Sequence, residues 1–242
     1  MTTATTLTKI SLRVSNTYLI AGEHPILVDA GCPGEEGRIG AALARKGVQV
    51  EDLRLLVHTH GHVDHCGSTK ALRDLSHAPV LLHQAEVYKM EGGIFGDIPA
   101  TRPFAWIVHQ FVPKHYPGLT PDIVLNSATD LRRWGCAGQI LCTPGHTSGS
   151  ISVLLDTGDA IVGDLLMGGY FGGALMPGAP DFAYFNEDLS AVLRSLTALL
   201  AAGAQRFHVG HGGPLARDRV ARFVGQHSPK HAPPTTRPGT PQ

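Results

Sequence analysis

Three histidines and an aspartate fall within six residues of one short segment, THGHVDHCG, Thr59 to Gly67: His60, His62, Asp64 and His65. Imidazole and carboxylate are the groups that hold Zn²⁺ besides thiolate, and they must reach the ion from several directions to build a four- or five-coordinate shell. Gly61 removes a side chain from the crowded centre of the turn. His60 and His62 can then chelate one ion while Asp64 and His65 face a second. Three further ligand-type residues stand directly after apolar runs and beside glycine: His146 in PGHTSGS, Asp164 in VGDLL and His211 in VGHGG. A lone histidine in an apolar run is ordinarily a core or surface residue. Its recurrence in the same local setting, next to a dense cluster, points instead to metal chemistry.

For these residues to meet, the runs before them must be neighbouring strands whose carboxyl ends share a rim. LRLLVHTH reaches His60, QILCTPGH reaches His146, DAIVGD reaches Asp164 and RFHVGH reaches His211. Around them, short β-rich runs are expected at Ile10–Val14, Thr17–Ile20, Ile26–Asp29, Leu53–His58 and Val80–His83, with helices at Glu35–Gly47 and Ser68–Leu75. The second half repeats the alternation: strands at Asp130–Trp134, Gln139–Cys142, Ser150–Asp156 and Ala160–Val162, a helix over Leu189–Ala202 with one leucine-rich stripe, and a strand at Arg206–Val209. Hairpin-paired strands followed by a helix, in each half, suggest two sheets face to face with helices outside. Residues 91–121 match neither period and are rich in Gly, Pro and aromatics, including Phe95, Phe104, Trp106, Phe111 and Tyr116. They read as an insertion or lid with some helix.

With 242 residues, 43% of them apolar and 17% charged, the chain has the balance of one large globular domain, expected over residues 1–225, before a flexible Pro- and Thr-rich tail over residues 226–242. Lys plus Arg and Asp plus Glu both total 20, so no excess of cations points to nucleic acid as a partner. No signal-like start and no apolar run of bilayer length are present, which leads us to expect a cytoplasmic protein off the membrane. Cys32, Cys66, Cys136 and Cys142 form no CxxC pair and read as isolated reduced thiols.

The set HxHxDH, followed at intervals by His, Asp and His, resembles the metallo-β-lactamase-fold hydrolase superfamily, and the resemblance extends to NTYLI near the start and to ILVDAG at Ile26–Gly31. It implies a four-layer αββα sandwich of two mixed β-sheets with outer helices and a metal site at one sheet edge. It further implies that His60, His62 and His146 hold a first metal and Asp64, His65 and His211 a second, with Asp164 bridging. Asp29 is then expected behind the site, orienting a ligand imidazole; as a sequence feature alone it reads equally as a turn residue ahead of Gly31.

Two Zn²⁺ sharing a water lower its pKa enough to give hydroxide at neutral pH, and they polarise the bond under attack. Fe or Mn could occupy such ligands too. No nucleophile-elbow GxSxG is present, in keeping with a hydroxide mechanism. Asp64 is expected to orient the nucleophile. The pattern is most similar to glyoxalase II and lactonase-like members, because the best-known β-lactamases use Cys or Ser where Asp164 stands. Only 31 residues follow His211, too few for a glutathione-binding helical domain. The expected substrate is therefore a small-molecule thioester, lactone or related ester, in a pocket walled by residues 91–116 and 170–185, where Tyr170 and Tyr184 are candidate oxyanion partners. Alternatives are an iron oxygenase of the persulfide dioxygenase kind, a β-lactamase, or a non-enzymatic metal-binding module. His24, His77, His83, His109, His115, His227 and His231 read as structural or surface residues, and His58 and His208 as packing near the site without ligating. The oligomeric state is not written in the sequence.

Overall fold

The structure is a computed structural model that describes residues 5–102 and 105–228. The tail from position 229 on, with His231, lies outside the described residues, as do Phe104 and the side chain of His109.

The first sheet runs in chain order through β1 (Thr6–Ser11), β2 (Asn16–Ala21), β3 (Ile26–Val28), β4 (Leu55–Val57), β5 (Val80–His83) and β6 (Ile123–Leu125). Its first three strands pair antiparallel, and from β3 to β6 the pairing is parallel. The second sheet begins with β7 (Thr129–Asp130), β8 (Gly138–Cys142), β9 (Ile151–Leu155) and β10 (Asp159–Gly163). The chain then leaves it for a separate hairpin, β11 (Met167–Tyr170) with β12 (Leu175–Asp181), and returns as β13 (Arg206–Val209) and β14 (Leu215–Ala216). The spatial order is β14-β13-β10-β9-β8-β7. Helices α1 (Glu36–Ala44), α2 (Val63–Cys66), α3 (Thr69–Ser76), α4 (Val87–Gly92) and α5 (Ala105–Phe111) belong to the first half, α6 (Leu189–Ala201) and α7 (Arg217–His227) to the second.

Side-chain alternation along the strands makes the layers, because successive residues of a strand point to opposite faces. Ile26 and Val28 of β3 and Leu55 and Val57 of β4 pack with Val153 and Ile161 of the opposite sheet, whereas Leu27 and Leu56 pack outward with Ile39, Leu43 and Leu72 of α1 and α3. Likewise Ile161 of β10 faces the first sheet, and Ala160 and Val162 face Val192, Leu196 and Leu199 of α6 and Val220 and Val224 of α7. Three apolar layers between four layers of structure give the αββα sandwich expected.

Several elements depart from the sequence reading. The first strand is Thr6–Ser11 rather than Ile10–Val14: it pairs residue by residue with β2, and Leu12 to Ser15 close a turn through Leu12 N–H to the Ser15 carbonyl, 2.9 Å. The run Asp130–Trp134 is not a strand. Only Thr129 and Asp130 pair with β8, after which the Asp130 side chain accepts from the Arg132 N–H at 2.8 Å and turns Leu131–Trp134 into a short 3₁₀ helix. The expected loop 170–185 contains much of the β11–β12 hairpin. Elements α4, β6 and α7 were not expected. Helix α7 buries Val220, Phe223 and Val224 at helical spacing and runs to His227, past the boundary expected at residue 225. Within residues 91–121, Phe95 and Tyr116 are buried in the outer core, and Ile94 bridges to His115. No helix among the described residues is long and apolar enough to cross a membrane.

Leu196 is fully buried between α6, β10 and α7. Leu196→Ala should lower the unfolding free energy by about 2–5 kcal/mol, the cost of an unfilled core position, while the bound-metal content of the folded fraction stays unchanged; urea unfolding alongside metal analysis checks both.

Candidate metal centre

Since β8 and β10 both run antiparallel to β9, and β13 runs parallel to β10, the carboxyl ends of β8, β10 and β13 lie along one edge. His146, Asp164 and His211 follow these three ends. In the first sheet the carboxyl ends of the parallel strands β3 and β4 deliver Asp29 and the turn from His58 to His62. Hydrogen bonds tie the two edges together: Ile151 N–H donates to the Thr59 carbonyl at 2.9 Å, and Asn16 Nδ2 and the Tyr18 hydroxyl donate to the Val209 carbonyl at 2.9 and 2.7 Å. All seven residues singled out as metal ligands meet there.

Two side-chain groups form. His60, His62 and His146 offer one ligand atom each within 4.8 Å of one another, and so do Asp64, His65 and His211; His60, His65 and Asp164 make a third such triangle that connects the two. Asp164 sits between the groups, with 3.3 Å from Oδ1 to His65 Nε2, 3.2 Å from Oδ2 to His211 Nε2 and 4.0 Å to His146 Nε2. Asp64 Oδ2 is 3.3 Å from His211 Nε2.

Four of the five imidazoles are held from behind by Nδ1. The His65 Nδ1 proton goes to Asp29 Oδ2 at 2.8 Å, that of His146 to the Phe185 carbonyl at 2.8 Å and that of His211 to the Val14 carbonyl at 2.7 Å. The Thr59 hydroxyl donates its one proton to Asp29 Oδ2 at 2.9 Å, so toward His60 Nδ1, 3.0 Å away, it accepts. Each of the four rings therefore turns its Nε2 inward, and in the neutral rings of His60 and His146 that nitrogen carries the lone pair, because a neutral imidazole that donates from one nitrogen accepts at the other. His62 differs: its Nδ1 faces His146 Nε2 at 3.1 Å and its ring stacks on Phe95, 4.4 Å between centroids.

Burial keeps His60, His62 and His146 below the usual histidine range, with neighbouring imidazoles adding to the effect for His60 and His62, so the three rings are neutral donors. The other group is ionic. Burial alone would raise the Asp64 carboxyl, yet His65 and His211 pull it down to about 2, and the same two rings hold Asp164 well below the carboxylate range. In return, burial of His211 is outweighed by Asp164 and Asp64, which lift it to about 10, and His65 is likewise raised. The buried atoms His60 Nε2 and His62 Nε2 have no hydrogen-bond partner among the described residues. Polar atoms so placed are costly unless something binds them, and an all-nitrogen-and-oxygen donor set that converges is what a divalent cation takes. The residues fit divalent metal.

The structure places Tyr170 and Tyr184 on either side of Arg102, their ring centroids 6.0 and 5.3 Å from its guanidinium, which is itself paired with Asp181 at 2.7 Å. His58 packs behind the site, with Nε2 3.1 Å from the Thr69 hydroxyl and Nδ1 3.8 Å from Asp29, while His208 pairs with Asp159 at the start of β10. His77 ends α3 in a left-handed conformation and His83 Nδ1 accepts from Ala85 N–H. His115, with Tyr88, Ile94, Phe95 and Lys114, lines a cleft of about 460 Å³ that adjoins His62 through the Phe95 ring. Sequence reasoning overlooked Thr59, Ser15 and Glu86. Thr59 adjoins the ligand cluster and could have been suspected; Ser15, whose hydroxyl donates to the Asp64 carbonyl at 2.6 Å, and Glu86 lie in no local pattern.

The model of the metallo-beta-lactamase superfamily matches residues 10–211. The chain is similar to a Bacillus subtilis protein named probable metallo-hydrolase, 25% identical over 85% of this chain and 83% of that one. It is also similar to a hydroxyacylglutathione hydrolase of Anaeromyxobacter dehalogenans, 29% identical over 88% of this chain and 72% of the other. Among solved structures, a metallo-beta-lactamase family protein of Thermus thermophilus superposes with a TM-score of 0.65 at 25% identity, covering 91% of this chain and 79% of that one. The fold is shared with the BLEG-1 B3 metallo-beta-lactamase, TM-score 0.68 at 19% identity, over 90% and 99% of the two chains.

In the chain stripped of cations by a chelator, His211 stabilises the fold as an imidazolium. Its folded-state value near 10 lies above the ordinary 6.5, so this contribution is complete below about pH 6.5 and is lost as pH rises toward 10. The urea midpoint of stripped protein should therefore fall across that window, and His211→Ala should flatten the fall; a wild-type midpoint that rises or stays level contradicts the ionic arrangement.

Proposed function

The chain belongs to the metallo-β-lactamase superfamily, and on that footing we propose that it is a metal-dependent hydrolase that holds two Zn²⁺ and cleaves a small-molecule thioester, lactone or related ester-like bond. One observation carries the reading: a neutral three-histidine group and an ionic Asp64–His65–His211 group adjoin, with the Asp164 carboxylate between them. In it, His60, His62 and His146 hold one cation, Asp64, His65 and His211 the other, and Asp164 joins both. Zn²⁺ is proposed over Fe or Mn because it is redox-inert and takes the imidazole-rich set offered here, which suits hydrolysis. When bound, such a pair supplies water ionised at neutral pH and withdraws electrons from the oxygen of the bond under attack.

The chain's own residues do the rest. Nδ1 anchoring fixes four ring planes before substrate arrives, so little reorganisation is left to the reaction. Asp64, partly open to solvent and ionised, can orient the attacking water by accepting a hydrogen bond from it. A cysteine nucleophile is not supported: burial raises all four thiols, Cys32 to about 12 and Cys136 to about 11, which leaves little thiolate. The cleft lined by Phe95 and Tyr88, whose Phe95 ring stacks on His62, is of a size for a small organic molecule. Similarity to a protein named hydroxyacylglutathione hydrolase supports a thioester within the proposed class.

Protein loaded with Zn²⁺ should hydrolyse at least one member of a panel of thioesters, lactones and carboxylic esters, lose that activity on chelation and regain it on readdition. His60→Ala should be inactive, and Asp64→Asn should lower kcat/KM by about 100-fold or more, the scale of a positioned acid–base group. One iron per chain with oxygen consumption, cleavage of β-lactams alone, or full turnover and both metals in Asp64→Asn would overturn the reading.

A further inference from the structure

Behind the three-histidine group lies a buried ion pair that the mechanism does not use. Glu86 and Lys89 are 0% and 2% exposed, and Lys89 Nζ donates to Glu86 Oε2 at 3.0 Å. The same Oε2 accepts from the Gly61 N–H at 2.9 Å, and on the other side of that residue the Tyr116 hydroxyl donates to the Gly61 carbonyl at 2.9 Å. Gly61 is the residue between His60 and His62. Both of its peptide groups are thus fixed from outside the turn, and with them the directions in which the two flanking imidazoles leave the backbone.

Glu86 touches the third histidine's turn as well. A Cβ placed on Gly149, three residues after His146, would come within 2.7 Å of Glu86 Oε1, and one placed on Gly61 within 3.0 Å of Oε2. Only glycine in both turns lets them close on the carboxylate from two sides. Oε1 makes no hydrogen bond among the described residues, so it is held at this spot by packing and by the Lys89 pairing, although burying a charged oxygen without a donor is costly. The other half is held differently: Asp64 by the Ser15 hydroxyl on its carbonyl, His65 by Asp29 and His211 by the Val14 carbonyl.

We infer that Glu86 and Tyr116 are positioning residues for the three-histidine half of the centre: they clamp Gly61 from both sides, Glu86 spaces the His60–His62 turn from the His146 turn, and Lys89 holds the Glu86 carboxylate in place. This rests on the metal reading above and adds that the three-histidine half has a support of its own, beyond the Asp29 contacts that both halves share. Loss of the clamp weakens one half and spares the other, whereas a residue important only for folding affects both.

The test uses Co²⁺ titration followed by visible absorbance, with each half isolated in the full chain. His211→Ala leaves the three-histidine half and His146→Ala leaves the carboxylate half. Tyr116→Phe, which removes one hydroxyl and keeps the ring, should lower Co²⁺ affinity about tenfold in the His211→Ala background, the scale of losing a residue that orients ligands, and leave it unchanged in the His146→Ala background. Glu86→Ala should do the same more strongly, and Glu86→Gln, which keeps an oxygen for the Gly61 N–H, should recover most of that loss. Equal weakening in both backgrounds, or no weakening with wild-type protein binding two Co²⁺, overturns this inference alone. Wild-type protein that takes up no Co²⁺ overturns the metal reading and this inference with it.

Discussion

The Asp29 carboxylate is the contact on which the site's geometry depends. It stands at the end of β3, with a left-handed φ of 64° that aspartate tolerates better than most residues, and its N–H donates to the Val57 carbonyl of β4 at 2.8 Å. From there Oδ1 accepts from the Thr59 N–H at 2.8 Å, and Oδ2 accepts from the Thr59 hydroxyl and from His65 Nδ1. Because Thr59 passes the interaction on to His60 Nδ1, one buried carboxylate orients an imidazole in each half of the centre. A charge 2% exposed is tolerated because several donors surround it. The same donors, now committed, cannot rotate away.

The rest of the architecture supplies the rim on which that contact acts. Parallel pairing of β3 with β4 puts Asp29 beside the turn it must hold, and parallel pairing of β10 with β13 puts Asp164 beside His211. Interlocked side chains between the sheets, Val28 and Val57 on one side and Val153 and Ile161 on the other, fix the distance across which His60 must meet His146. The apolar core thus determines the distances within the centre, and hydrogen bonds determine the angles.

Charge divides the centre. Three neutral rings make one half and two carboxylates with two imidazoles the other, and Asp164 belongs to the second by charge while reaching the first by position. On the proposed reading, a dication at the neutral half would rely on that one shared carboxylate for compensation. A dication at the other half would displace the protons that His65 and His211 otherwise keep, which would couple binding there to proton release.

The sequence by itself determined the ligand types and the strands that carry them. Short apolar runs ending in His or Asp beside glycine point to strand ends that meet at an edge, and all seven expected ligands lie together there. It also pointed to two facing sheets with helices outside, through hairpin-paired strands followed by a helix in each half, and unbroken apolar runs such as Leu55–Val57 fit strands buried on both faces. What it did not carry are features made by partners distant in the chain. Leu131–Trp134 has the composition of a strand, and only the Asp130 side chain turning back on Arg132 makes it a 3₁₀ turn. Thr59 as a relay, Val14 and Phe185 as carbonyl anchors and Glu86 behind Gly61 have no local signature, because a hydrogen bond to a backbone atom dozens of residues away leaves the type of the partner residue unconstrained. Ligand identity is a property of the side chain and can be read in order along the chain; ligand direction is a property of contacts across the fold, and only the tertiary structure decides it.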